Sequence, residues 1–417
     1  MGWLLRCPFG PNHYSAVMSG SFFERRRRRL PGRVPPSDAG QGGASNENAE
    51  VAVCPDAALR YAAAAAPRLV SWSRAGVTDP REWHALAHRK LVELTGHGRF
   101  GGPPGIVGRR DLGERDGLRH QSLYVRIRHG NDIPVRIVHA PDASAAGPRA
   151  AVICLQDDRW GMHVSWGEAR SEAERAAVSD GFDIARQAAR CGHYAVCVEL
   201  PGVGERVPKT DDGAAAVADA TTAHGLVLGR CPPGDRACDV SSVLNWILDG
   251  DFGHPLGTAV VPVVGIGAGG FAGLLAAAID TRLAGVAAID CVGSLRVAIA
   301  ARSLPFGYVV PGLLRWMDVE DVTALCAPRP VLLMSGRDHP RWPAAEAAQV
   351  AQYAGDLYGR FDAGDALFME AVDGPFGLDT ETLWRWLGRA VAVTDAASSG
   401  QDAGGVPRRR ETRPRAR

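Results

Sequence analysis

A glycine-rich turn, Gly265-Ile266-Gly267-Ala268-Gly269-Gly270, most constrains the fold of this 417-residue chain. A β-branched run, Val260 to Val264, leads into it, and an alanine-rich segment, Phe271 to Ile279, leads out. β-Branched residues favour strands and alanine favours helices. Glycine reaches backbone conformations that other residues avoid, and it lets strand and helix backbones approach closely. The unit is therefore a strand, a tight corner and a helix. The central residue of the corner, Gly267, brings no side chain to it. The same turn also reads G-x-G-x-x-G, a spacing that binds a dinucleotide when it follows a strand and opens a helix.

The strand–helix alternation extends well beyond this unit. Gln121 to Arg128 and Ile133 to His139 alternate in polarity around His129-Gly130-Asn131-Asp132, which predicts an antiparallel hairpin. Ala150 to Leu155 is a continuous apolar strand. Helices are expected at 180–191, 236–249, 271–279, 343–359 and 379–393. Strands are expected at Tyr194 to Leu200, Val260 to Val264, Gly285 to Ile289, Pro330 to Met334 and Ala366 to Val372. Continuous apolar strands joined by crossover helices imply an α/β fold, a mostly parallel sheet covered on both faces. Ahead of it, Asp56 to Val70 and Asp79 to Thr95 read as helices. Asp79 is the N-cap of the second, Pro80 its first helical residue, and Gly96 its stop. The expected organisation is a disordered basic leader over 1–55, an N-terminal helical segment or cap over 56–118, the α/β domain over 119–393, and a disordered basic tail over 394–417.

Charge is unevenly spread. Net charge is +1, yet residues 1–35 carry about +6 and residues 401–417 about +4, which leaves the body near −9. A body of that sign argues against a nucleic-acid partner. Arg25–Arg29 runs into Leu30-Pro31-Gly32 rather than into an apolar stretch, so the leader lacks the order of a secretory signal, and no stretch reads as a membrane span. A cytoplasmic protein with a small-molecule ligand or substrate is expected, with no membrane, metal or cofactor; the oligomeric state is left open. The nine cysteines show no paired metal-ligand spacing. Cys154, Cys197 and Cys326 lie in apolar runs and read as reduced core residues, while Cys231 and Cys238 could pair under oxidising conditions.

The order of several segments resembles the α/β-hydrolase superfamily, in particular its dienelactone-hydrolase-like and acetyl-xylan-esterase-like branch. The segments are Phe182-Asp183-Ile184-Ala185 through Gly192-His193-Tyr194, Leu200-Pro201-Gly202-Val203-Gly204-Glu205-Arg206 and Ala278-Ile279-Asp280-Thr281-Arg282. Val310-Pro311-Gly312-Leu313-Leu314 and Ala327-Pro328-Arg329-Pro330, followed by Gly336 and Asp338, complete the likeness. It spans roughly residues 80–393. It implies the α/β-hydrolase fold, with an antiparallel entry, a mostly parallel sheet and helices on both faces.

Set against that pattern, the chemical stations differ. Gly267 stands at the nucleophile position of the elbow. Asp338 stands at the acid position and is retained. In Asp373-Gly374-Pro375-Phe376-Gly377, Pro375 stands where the family has its histidine. Gln156-Asp157-Asp158-Arg159-Trp160-Gly161 replaces the usual His-Gly loop. A serine mechanism needs a hydroxyl, a base and a group that orients the base. Glycine and proline supply neither hydroxyl nor base, so a degenerate triad is expected.

Other groups remain for chemistry. The Ala268 backbone N–H, at a helix N-terminus, is a candidate oxyanion donor. Glu205 and Asp338 are candidate acid/base residues. Gln156, Asp157, Asp158, Trp160 and Cys291 are candidate pocket residues. The leading expectation is non-hydrolytic chemistry of lyase, cyclase or isomerase type on a carbonyl-containing small molecule. A pseudoenzyme that binds a ligand or partner is one alternative. Dinucleotide binding through Gly265–Gly270 is the other, with Asp290 at the end of the next strand as the ribose-binding acid.

Overall fold

Apolar strand sequences here are buried on both sides, and their alternation sorts residues between two cores. In the computed structural model, which describes residues 55–98, 104–127, 132–141, 150–207, 214–250 and 252–401, nine strands form a single sheet. The arginine run of the leader, the hairpin turn at 128–131 and residues 402–417 lie outside the described residues.

The strands are β1 (Gly105–Arg115), β2 (Leu118–Arg126), β3 (Asp132–His139), β4 (Ala151–Leu155), β5 (Tyr194–Val198), β6 (Val263–Ile266), β7 (Val286–Ile289), β8 (Val331–Gly336) and β9 (Leu367–Val372). Their order is β1-β2-β3-β5-β4-β6-β7-β8-β9. The first three pair antiparallel, and β3 pairs antiparallel with β5 through Val135↔Val198. From β5 to β9 every pairing is parallel. The expected layout, an antiparallel entry feeding a parallel sheet, is observed.

The helices are α1 (Pro55–Ala64), α2 (Pro80–Thr95), α3 (Glu172–Ser179), α4 (Ile184–Arg190), α5 (Ala214–Val227), α6 (Pro232–Leu248), α7 (Gly267–Ile279), α8 (Leu295–Ala300), α9 (Leu313–Trp316), α10 (Val319–Ala324), α11 (Ala344–Arg360) and α12 (Thr380–Gln401). Along β4, Ile153 and Leu155 join a core with α2, α6 and α7, while Val152 and Cys154 join a second core with α4 and α12. Successive strand residues point to opposite faces, so these cores are the two covered sides of the sheet. Helix α7 is buried along its whole length, which matches a sequence that is apolar on every face.

Local signals explain where elements stop. The helix expected to reach Val70 ends at Ala64, because Pro67 offers no N–H and disfavours helix before it. The chain instead lays Leu69 and Val70 on the Arg315 and Trp316 carbonyls. Strand β6 starts at Val263, after Pro262, and runs two residues past the expected end at Val264. Strand β1 is new relative to the sequence reading. It carries Gly108 and Gly113 at positive φ, and its register with β2 shifts beside both. Those bulges break the alternation by which strands are recognised. Cys231 and Cys238 are free cysteines. Among the described residues no helix is long and apolar enough to cross a membrane.

Helix α2 docks on the sheet through one stripe: Trp83, Ala87 and Leu91 are fully buried, and the Trp83 indole N–H donates to the Val70 carbonyl at 2.8 Å. Asp79 caps its start by accepting from the Arg81 N–H, and Gly96 closes it in a left-handed conformation. Replacing Trp83 with alanine is expected to lower stability by about 3–5 kcal/mol, since buried aromatic-to-alanine changes leave a cavity. Chemical denaturation checks this. A loss below about 1 kcal/mol would mean that α2 is not part of the cooperative unit.

Candidate functional site

The chain leaves β4 toward β5 on one side and returns to β6 on the other. This reversal opens a crevice beyond the C-terminal ends of β4 and β6, where ligands of open α/β sheets bind. Gln156, Asp157, Asp158, Arg159 and Trp160 follow β4 at this edge of the sheet. Gly267 and Ala268 form the corner between β6 and α7.

Gly267 has φ +55°, a left-handed conformation that other residues adopt only with strain. A Cβ placed on Gly267 would lie 2.6 Å from the Asp157 carboxyl carbon and closer still to its Oδ2. The Asp157 carboxylate thus takes the space that a nucleophile side chain would need. Its position at the start of α7 favours negative charge, because free N–H groups and the helix dipole converge there. The flanking glycines answer to contact. A Cβ on Gly265 would lie 2.7 Å from the Gly270 Cα, and one on Gly270 would lie 2.8 Å from the Cys291 sulfur.

Asp157 is itself held in place. Its Oδ1 accepts from the Arg159 backbone N–H at 3.0 Å and from Arg159 Nε at 3.1 Å. The Arg159 guanidinium lies 4.5 Å from the Trp160 ring centre and 5.6 Å from that of Phe376. Phe376 belongs to the loop after β9, next to the exposed Pro375. A carboxylate, a guanidinium and two aromatic rings therefore run from the β6–α7 corner to the loop that would carry a histidine. Cation–π contacts of this kind contribute roughly 0.5–1 kcal/mol each at exposed sites.

Asp338 is exposed, and its backbone N–H donates to the Gly374 carbonyl at 3.0 Å. The neighbouring His339 uses Nδ1 to accept from the Trp342 N–H at 2.9 Å, and burial lowers its pKa to about 4. Glu205 is exposed and accepts from the Tyr124 hydroxyl at 2.9 Å. Tyr124 lies on β2, six places along the sheet from β8, a separation on the order of 25–30 Å at ~4.8 Å per strand. The structure therefore does not gather Glu205 and Asp338 into one constellation. Cys291 is buried, and burial pushes its thiol well up, the wrong direction for a nucleophile. Gln156 is buried, with Nε2 donating to the Phe182 carbonyl at 2.6 Å. Ala268 is 1% exposed.

The sequence reading missed one carboxylate with structural work, Glu199, and gave another, Asp290, a different role. Glu199, buried at the end of β5, accepts from the Met162 N–H at 2.7 Å. Asp290, after β7, has φ +54° and is 4% exposed. Its Oδ1 accepts from the Gly336 N–H at 3.0 Å and its Oδ2 from the Gly377 N–H at 2.8 Å. It ties the loop after β8 to the loop after β9. Both oxygens are engaged and buried, so Asp290 does not present itself to a ribose. A pyrophosphate at the Gly267 corner would also meet the Asp157 carboxylate. Both facts count against dinucleotide binding.

Beside the corner lies a cavity of about 680 Å³ at the ends of β4 and β5 and the start of α6, in the size range of small-molecule sites. Asp158, Arg206, Arg236 and the Pro201–Val203 turn line it, and Phe306-Gly307 covers one side. Asp158 Oδ2 sits 3.4 Å from Arg236 Nη2. Desolvation raises the Asp158 carboxyl above its usual range. Arg236 opposes that rise and the adjacent Asp157 reinforces it. Of the expected pocket residues, Asp158 alone lines this cavity.

No family model matches the chain, and no curated protein matches it. Solved structures do. A protein described as an acetyl xylan esterase from Bacteroides fragilis superposes with a TM-score of 0.61 at 15% identity, over 77% of this chain and 83% of that one. A glucuronoyl esterase from Solibacter usitatus gives 0.54 at 13% identity, over 78% and 96%. A glucuronoyl esterase from Teredinibacter turnerae gives 0.52 at 17% identity, over 80% and 90%. The chain has the α/β-hydrolase fold. The resemblance read from the segments between 182 and 338 is thereby shown at the level of fold, and identities this low carry nothing further.

Two predictions follow from the geometry. Gly267→Ala is expected to destabilise by about 1–3 kcal/mol through strain, with further loss from the clash with Asp157. In an Asp157→Gly background its cost should fall by at least about 0.5 kcal/mol, as expected for touching residues. Purely additive costs in a double-mutant cycle would show that the two do not share space. For Asp290, burial raises the pKa to about 6, above the unfolded value near 3.8. The folded state then holds the proton more tightly, so this group's contribution to stability is full at low pH and declines as pH rises from ~4 through ~6. Asp290→Asn should remove that decline. It should also cost about 1–3 kcal/mol at pH 7, since one amide oxygen cannot serve two buried N–H donors. Denaturation curves across pH 4–7 check both, and an unchanged pH slope would refute the assignment.

Proposed function

We propose that this α/β-hydrolase-fold protein works without a serine nucleophile and carries out non-hydrolytic acid–base chemistry on a carbonyl-containing small molecule. The observation that carries this reading is the Asp157 carboxylate in the space a nucleophile would occupy at Gly267. An acyl-enzyme cannot form at a glycine, and an oxyanion at that corner would be repelled by the carboxylate already there.

The proton-handling group in this reading is Asp158. It lines the cavity beside the Arg236 guanidinium, and desolvation displaces its pKa upward. A carboxylate there can take a proton from carbon next to a carbonyl. The Arg236 guanidinium beside it favours the enolate that results, and the proton then returns to the same carbon or to a neighbouring one. Asp338 and Glu205 are left out of this chemistry, because neither lines the cavity.

A second reading is ligand binding without catalysis. The closed chain Asp157–Arg159–Trp160/Phe376 favours it, since it leaves no mobile base over the corner.

The purified protein is expected to leave p-nitrophenyl acetate intact and to take up no fluorophosphonate probe. Gly267→Ser alone should stay unlabelled, and Gly267→Ser with Pro375→His is the fairer test of a restored triad. Robust labelling of the native protein would sink the proposal. In deuterated buffer, a panel of enolisable ketones and oxo acids followed by proton NMR should show enzyme-dependent exchange next to the carbonyl. Asp158→Asn should reduce that exchange by at least about 10²-fold, the usual share of a general base. Binding without exchange would favour the second reading.

A further inference from the structure

Arg236 lies on the second turn of α6, and its side chain is only 6% exposed. Burying a guanidinium costs free energy unless its donors are satisfied. Only Nη2 is engaged, by Asp158 at 3.4 Å, a long contact. Nε and Nη1 are buried and meet no acceptor among the described residues. Arg236 nonetheless lines the cavity of about 680 Å³. The backbone at Gly307 presses on the same spot: a Cβ there would lie 2.6 Å from Asp158 Oδ2 and 3.0 Å from Arg236 Nη1.

We propose that Arg236 is the anchor for a carboxylate, so that the ligand of this cavity is a small organic monoanion of the oxo-acid class. Unsatisfied guanidinium donors in a cavity wall call for an oxyanion acceptor. The other charges of the wall limit how much negative charge the ligand brings. Arg206 is bound to Asp239, Arg230 to Asp235 and Asp132 to Arg126, so these pairs leave the wall little free charge of either sign. A phosphate dianion or a nucleotide would bring more negative charge than Arg236, the one cation of the wall held only by a long contact, can offset. A single carboxylate on Arg236 faces one guanidinium and has Asp158 to its side. Pro201, Val203 and Phe306 offer the rest of the molecule an apolar wall. A carbonyl next to the anchored carboxylate would then lie within reach of Asp158, the proposed proton carrier.

This inference shares the cavity with the acid–base reading but does not depend on turnover. The probe is phenylglyoxylate, an oxo acid with no hydrogen to exchange, compared with its neutral amide by calorimetry or ligand-observed NMR. The full-length native protein is expected to bind the acid at least about tenfold more tightly than the amide, the least that one charge-assisted hydrogen bond contributes. Arg236→Gln should abolish that preference, and Arg236→Lys should keep part of it. Equal binding of acid and amide, no binding of the acid in the millimolar range, or inorganic phosphate binding as tightly as the acid would each overturn the assignment. The first comparison needs no variant, so it stands even if Arg236→Gln folds poorly. Preference for the acid in a protein that exchanges no enolisable proton would overturn the catalytic reading and leave the anchor intact.

Discussion

The contact between the end of β6 and the first turn of α7 governs the rest of the structure. Three glycines let the two backbones meet: Gly265 against Gly269 and Gly270, and Gly269 against the Gln156 carbonyl and Leu155. The close approach draws the end of β4 against the helix start, and with it the segment that begins at Gln156. Asp157 reaches the corner because β4 and β6 are paired up to Leu155↔Gly265, one pair short of the turn. A bulkier residue at Gly265 or Gly269 would drive the helix off the strand and lift Asp157 away. The glycines are therefore packing residues first, and the G-x-G-x-x-G spacing is a by-product of that packing.

Electrostatics at the C-terminal edge of the sheet follow from placing carboxylates where backbone N–H groups converge. Asp157 faces the start of α7, Glu199 accepts from the segment after Gly161, and Asp290 accepts from two loops. Each buried carboxylate opposes folding through desolvation and is offset by hydrogen bonds to its charged form. The edge is thus held together by acids that bind the protein's own backbone. Asp158 differs, because its partner is a side chain and its oxygens border a cavity. That difference separates a bracing carboxylate from one able to meet a ligand.

Much of the fold was legible in the sequence, and the reasons are local. The Asp79–Pro80 start and Gly96 stop of α2 are written in adjacent residues, and the apolar runs of β4, β7 and β8 have no reading other than a buried strand. The elements that escaped are those whose signal is tertiary. Strand β1 is an exposed edge strand with bulges at Gly108 and Gly113, and its arginines are the kind of residue that keeps an edge from pairing further. The site was legible in position but not in wiring. Gly267, Asp157, Asp158 and Trp160 were identifiable from their place after strands. That Asp157 fills the corner while Asp158 faces the cavity depends on which way adjacent side chains point after β4 ends. Asp290 was noticed for its spacing from Gly270, and its role as a clamp between two loops depends on contacts 46 and 87 residues away in sequence.

A nucleophile elbow keeps a side chain in a strained backbone region, at about 1–3 kcal/mol, so that a reactive atom stands over the pocket. Gly267 adopts its left-handed conformation, φ +55°, without that strain. The space released is not left empty. The Asp157 carboxylate, from the segment after β4, occupies it and is held by Arg159, whose guanidinium lies near the Phe376 ring of the loop after β9. An active elbow draws in a developing oxyanion, whereas this corner already holds an anion and turns further negative charge away. An anionic ligand approaching the crevice is repelled at Asp157 and attracted by the unsatisfied guanidinium of Arg236. In the proposed reading the attractive point for an anion lies at the start of α6 rather than at the β6–α7 corner.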